Sequence, residues 1–126
     1  MKESIGHPET SDLDGKKIRY HYASGVIYDH HYQNGKITWT GVAGPHEGYS
    51  QTEKYAAFEV AQKIYFLTWY ERETRPSATS ENHKDGYNVA IVLDLNKMVA
   101  TASYNEPLGG GGQKWILDKA RLDILS

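Results

Sequence analysis

A chain of 126 residues with a formal net charge of -2 has room for one core, and so for one principal site. Its lysines and arginines are spread along the chain, which leaves no basic stripe for a phosphate backbone or an anionic lipid surface and argues against nucleic-acid and membrane partners. The absence of cysteine excludes disulfides, thiolate nucleophiles and thiolate metal sites, and no apolar run is long enough to cross a bilayer, so a cytoplasmic location is the default expectation. The composition is globular but rich in amphipathic aromatics, with 10 Tyr and 3 Trp, residues suited to half-wet pockets.

Residues 1–12 carry Pro8, Ser, Thr and acidic side chains and read as a flexible lead-in. The remainder, 13–126, reads as a single all-β domain, because two-residue alternation recurs in segment after segment while helical periodicity is hard to find before the last dozen positions. Lys17 to Tyr22 alternates Ile18, Tyr20 and Tyr22 against Lys17, Arg19 and His21, and stops at the turn Ala23-Ser24-Gly25. Val26, Tyr28, His30 and Tyr32 form one face of a second strand. Asn34-Gly35 is the strongest hairpin signal, since both residues tolerate the positive φ of a type I′ turn, and Lys36 to Val42 is the returning strand.

Gly44 to Gln51 reads as a loop, followed by a fourth strand around Thr52 to Val60, where a helical turn is the alternative. Lys63 to Glu71 is a strand rich in aromatic and β-branched residues. Arg72 to Gly86 is polar, contains Pro76 and ends in Asp85-Gly86, so it reads as a long rim loop or a disordered excursion. Tyr87 to Leu95 and Met98 to Tyr104 are two strands joined tightly at Asn96-Lys97. Trp115 to Leu125 is either a closing strand or a short C-terminal helix packed outside. Such a meander removes both of its edges by closing into an antiparallel up-and-down barrel of about eight strands, wide enough for one small ligand.

The segment Gly15 to Gly25, GKKIRYHYASG, followed by Tyr28, resembles the opening hairpin of phenolic acid decarboxylases and of MoaF-like proteins, and Ile64 to Glu71, IYFLTWYE, is similar to the strand that carries a Trp-x-Glu motif in those families. The resemblance covers about Leu13 to Tyr104 and implies a calycin, or lipocalin-like, barrel. It also implies roles: Tyr20 and Tyr22 would grip a substrate carboxylate, and Glu71 would handle a proton near the reacting double bond. Where the decarboxylases carry arginine after a glycine, this chain has Tyr49 after Gly48. The loop Gly44-Pro45-His46-Glu47-Gly48 looks more like the MoaF-like branch.

Taken on their own chemistry, Tyr20 and Tyr22 share a strand face and can meet one ligand, or they can be ordinary lining tyrosines. Tyr65, Leu67, Trp69 and Glu71 share a face as well. An inward Glu71 would lose solvation, and its pKa would rise toward the range of a general acid; at the strand's end it would be a solvated rim residue. Six histidines, His7, His21, His30, His31, His46 and His83, do not recur at metal-ligand intervals, so no metal is expected. His30 shares a face with Tyr28 and Tyr32 and can line a pocket. Gly109 to Gly112 lacks the strand and the Ser/Thr of a phosphate loop, and Arg72, Arg75 and Lys84 are loop charges that either attract an acidic ligand or merely solvate the loop.

Three functions fit this pattern. The first is a cofactor-free lyase acting on a small acidic or phenolic compound, with Glu71, Tyr20 and Tyr22 catalytic and Tyr28, His30, Tyr49 and Trp69 binding the ligand. The second is a non-catalytic carrier or sensor of a small aromatic or carboxylate-bearing molecule, and a homodimer is compatible with either. The third is a scaffold whose barrel is filled by its own aromatics.

Overall fold

The structure is a computed structural model that describes residues 5–71, 87–107 and 112–126. Nine strands follow one another: β1 (Lys17–Tyr22), β2 (Ile27–Gln33), β3 (Lys36–Ala43), β4 (Ser50–Lys54), β5 (Ala56–Ala61), β6 (Ile64–Glu71), β7 (Tyr87–Asp94), β8 (Val99–Pro107) and β9 (Gln113–Ile124). All pairings are antiparallel, in the order β4-β3-β2-β1-β9-β8-β7-β6-β5. First and last strands pair in the middle of this sheet, Tyr20 opposite Leu122, so its two edges lie in mid-chain at β4 and β5. β4 reaches β6, which nearly closes the sheet into a barrel. No helix among the described residues is long and apolar enough to cross a membrane.

Alternation places the core as the sequence indicates. Ile18 and Tyr20 on β1, His30 and Tyr32 on β2, Ile37 and Trp39 on β3, and Leu67 and Trp69 on β6 are all buried, whereas the residues between them are more exposed. His31, next to His30, faces outward. Asn34 (φ 53) and Gly35 (φ 74) make the two-residue turn between β2 and β3.

Two readings need correction. The span Thr52 to Val60 is neither one strand nor a helical turn: β4 pairs with β3 and β5 with β6, and the chain breaks at Tyr55 because it must step from one edge of the sheet to the other. That extra break makes nine strands instead of about eight. The C-terminal segment is a strand and not a helix, for its inward residues are Ala120 and Leu122, two apart, while Trp115 and Leu117 on the other face are exposed. The long polar segment, residues 72–86, and most of the glycine run, residues 108–111, lie outside the described residues.

One end of the barrel is sealed by residues that precede β1. Glu9 bridges to Phe58, the Thr10 N–H donates to the Ala57 carbonyl at 2.8 Å, and Leu13 is fully buried in the core. Tyr55 donates its hydroxyl to Asp14 at 2.6 Å, Tyr65 donates to Asp12 at 3.3 Å, and the Asp14 carboxylate also accepts from the Gly35 N–H in the β2–β3 turn. Apolar side chains Leu13, Ile18, Ile37, Leu67 and Leu93 fill the space between, each removed from water.

Candidate functional site

The opposite end is hollow. A cavity of about 410 Å³ lies among β1, β2, β3, β6, β7, β8 and β9, within the size range of small-molecule pockets. Aromatic side chains border it from most strands, Tyr22, Tyr28 and Trp39 on β1, β2 and β3, Trp69 and Tyr87 on β6 and β7, and Tyr104 on β8, which also supplies the small Ala102. The aromatics form a continuous surface. Tyr22 meets Tyr28 edge-on at 6.0 Å, Tyr28 meets Trp39 at 5.5 Å, and His30 meets Trp69 at 5.7 Å between ring centroids.

Of the residues singled out in the sequence, Tyr22, Tyr28, His30, Trp69 and Glu71 border this cavity together. Glu71 sits beside Trp69, whose indole N–H donates to Glu71 Oε1 at 3.3 Å. Two residues are placed elsewhere. Tyr20 is fully buried one layer below, its hydroxyl 2.7 Å from that of Tyr32, so the two tyrosines that share a face do not share the cavity. Tyr49 stands on the outside, 37% exposed, because the loop before β4 turns it away from the barrel.

Others enter the site with little warning in the sequence. His46 reaches the cavity from the β3–β4 loop, with Nδ1 2.5 Å from the Tyr28 hydroxyl. Gly41 makes this possible: its N–H donates to the Tyr49 carbonyl and its carbonyl accepts from the Gly48 N–H, drawing the loop onto β3, and a Cβ there would lie 1.9 Å from the His46 carbonyl oxygen. Tyr87, Tyr104, Ile116 and Asp118 complete the far wall. Asp118 Oδ2 accepts from the Ser24 hydroxyl at 2.9 Å. Trp39 was legible by alternation with Ile37, and Tyr87 by alternation with Val89; His46 and Asp118 carried no pattern that pointed inward.

Electrostatics at the floor are dominated by lost solvation. Burial pushes His30 down to about 3, with nearby Asp29 opposing the shift, so its imidazole is neutral at ordinary pH. Burial, followed by the neighbouring Tyr20, holds the Tyr22 phenol well above its usual range, which keeps it a neutral hydroxyl. The Trp39 indole nitrogen is buried without a hydrogen-bonding partner among the described residues. No group of His, Asp or Glu among the described residues is arranged to hold a metal ion.

No curated protein sequence matches this chain. Among solved structures, a protein from Burkholderia vietnamiensis described as a candidate beta-lactamase superposes with a TM-score of 0.69 at 14% identity, over 97% of this chain and 100% of that one, which is a likeness of fold. The family model for the MoaF C-terminal domain matches residues 7–103, a span that takes in the sealing segment, Tyr22, the His46 loop, Glu71 and Tyr87, and the chain belongs to that family.

Proposed function

We propose that this barrel is a container for one small, partly aromatic organic molecule. The observation that carries the reading is the cavity itself: sealed at one end, open to a site of about 410 Å³ at the other, and walled by aromatic faces together with the polar side chains Ser24, His30, His46, Glu71 and Asp118. Tyr22, Tyr28, His30 and Trp69 would form the ligand's walls, and the rigid strands that carry them would need little ordering on binding. A thermal-shift screen of small aromatic compounds tests this, since a ligand specific for the folded state must raise the midpoint. If no compound of a size to fit does so, the container reading fails.

A second reading, a cofactor-free lyase, is favoured by one observation: the Glu71 carboxylate and the Tyr22 hydroxyl border the same cavity, so a proton donor or acceptor and an orienting phenol can meet one substrate. Two facts weigh against a decarboxylase of the phenolic acid type. Tyr20 cannot grip a substrate carboxylate while its hydroxyl is engaged by Tyr32 beneath the floor, and Tyr49 is outside. Incubation with hydroxycinnamic acids, followed by loss of their ultraviolet absorbance, decides it. Turnover abolished by Glu71→Gln would establish the lyase, and no turnover at high protein concentration would remove it.

A further inference from the structure

The floor of the cavity holds three polar groups in a row. The Tyr20 hydroxyl lies 2.7 Å from the Tyr32 hydroxyl, which lies 3.1 Å from His30 Nδ1, and none of the three side chains has a further hydrogen-bonding partner among the described residues. Tyr20 and Tyr32 are fully buried and His30 is 3% exposed. The Tyr20 ring lies 3.9 Å from that of His30 and holds it in place.

Such a row has a direction. The Tyr20 proton has one acceptor in reach, the Tyr32 oxygen. If Tyr20 donates there, Tyr32 donates onward to Nδ1 and every buried group is satisfied. In the reverse order Nδ1–H donates to Tyr32, Tyr32 donates to Tyr20, and the Tyr20 proton is stranded in a sealed core, which folded proteins avoid. The forward order therefore wins, and it makes Nδ1 an acceptor. A neutral ring with a bare Nδ1 carries its proton on Nε2. His30 borders the cavity, and the sealed, unpartnered side-chain atoms among the described residues include the Trp39 nitrogen but not His30 Nε2, so that N–H meets the open space.

We propose that the Tyr20, Tyr32 and His30 relay presents a fixed Nε2–H donor at the cavity floor, and that the ligand is a neutral aromatic molecule whose carbonyl-type oxygen accepts from it. This rests on the reading of the barrel as a container. A carboxylate is the poorer match because the imidazole facing it is neutral and two carboxylates, Glu71 and Asp118, border the same cavity. An ammonium has nothing to accept with. His30 is thus the ligand-binding group, and Tyr20 and Tyr32 are positioning residues that act through its tautomer.

Nitrogen-15 NMR of the imidazole ring in the full chain tests the relay without any ligand. The expected spectrum at neutral pH has a protonated Nε2 and a bare Nδ1, and Tyr20→Phe, which removes the driving donor, is expected to admit the other tautomer. A protonated Nδ1 in the unaltered protein overturns the relay. Four matched probes then test the ligand class: acetophenone, benzoate, benzylammonium and cumene. Acetophenone is expected to shift the Nε2–H resonance and to bind about tenfold tighter than cumene, and His30→Phe, which keeps an aromatic ring in place, is expected to erase that tenfold difference. Preference for benzoate or benzylammonium overturns the ligand class alone. The expected tautomer with no binding of any probe overturns the container reading together with the ligand class, and leaves the hydrogen-bond order standing.

Discussion

The two ends of this barrel are built from the same strands by the same alternation, yet one is solid and the other hollow. At the sealed end, Leu13 inserts from outside the meander, and Asp12 and Asp14 pin the rims of β6 and of the β2–β3 turn. At the open end no such segment enters among the described residues, and the small Ala102 on β8 borders the space along with Tyr22, Tyr28 and Trp39. The contrast teaches that the cavity is a consequence of what the plug reaches and where small residues fall, since the sheet itself is continuous from one end to the other. Stability should therefore be concentrated at the plugged end and ligand recognition at the other.

The largest test of that division is Leu13→Ala. A fully buried leucine in a packed seal is expected to cost about 2–5 kcal/mol, read as a lower denaturation midpoint, whereas Ile116→Ala on the half-exposed cavity wall should cost less than about 1 kcal/mol. Equal losses would erase the distinction between the ends. The boundary between them is probed by acid. His30 has a folded-state pKa depressed to about 3, so the unfolded chain binds a proton that the folded one does not, and stability is expected to be intact above about pH 6.5 and to fall as pH drops toward 3, by about 1.4 kcal/mol per unit for this one group. In His30→Gln that slope should shrink, and an unchanged slope would place the acid sensitivity elsewhere.

The open end has its own structural dependence on Gly41. Alanine there would drive a methyl into the His46 backbone, and because backbone and not a flexible side-chain tip must yield, a loss of about 1–3 kcal/mol is expected together with displacement of His46 from Tyr28. Loss of ligand response with near-normal cooperativity would be the outcome that supports a hollow end separable from the solid one. Full retention of ligand affinity would show that His46 contributes nothing to binding.

Much of this is legible in the sequence alone. Alternation through Ile18-Tyr20-Tyr22 and Tyr65-Leu67-Trp69 gave inward faces correctly, because a strand has no freedom to change face without slipping register. It could not give depth. Tyr20 and Tyr22 point the same way, but one strand step separates a sealed floor from an open wall, and only the plug at Leu13 and the packing around Tyr32 decide which side of the floor each occupies. The break at Tyr55 was hidden for a similar reason: β4 and β5 are continuous in sequence, and the event that divides them is closure of the sheet, a property of all nine strands. His46 was invisible because loops carry no period, and the signal that did exist was Gly41, a glycine inside a strand, which marks close approach of another backbone.

The smallest predicted effect compares a hydrogen bond at each end. Tyr55 at the solid end donates to Asp14, and Tyr28 at the hollow end is bonded to His46, so conversion to phenylalanine removes that bond in each case. Tyr55→Phe should lower stability by about 1 kcal/mol, because the Asp14 carboxylate also holds the Gly35 N–H and the seal loosens with it. Tyr28→Phe should cost less in denaturation, since the neighbouring cavity can supply water to the imidazole it leaves, but should change the response to a bound aromatic. If the costs were reversed, with Tyr28→Phe the more destabilising, the mouth would be a structural clamp in its own right, and the hollow end would have to be read as part of the fold's support and not only as its binding face.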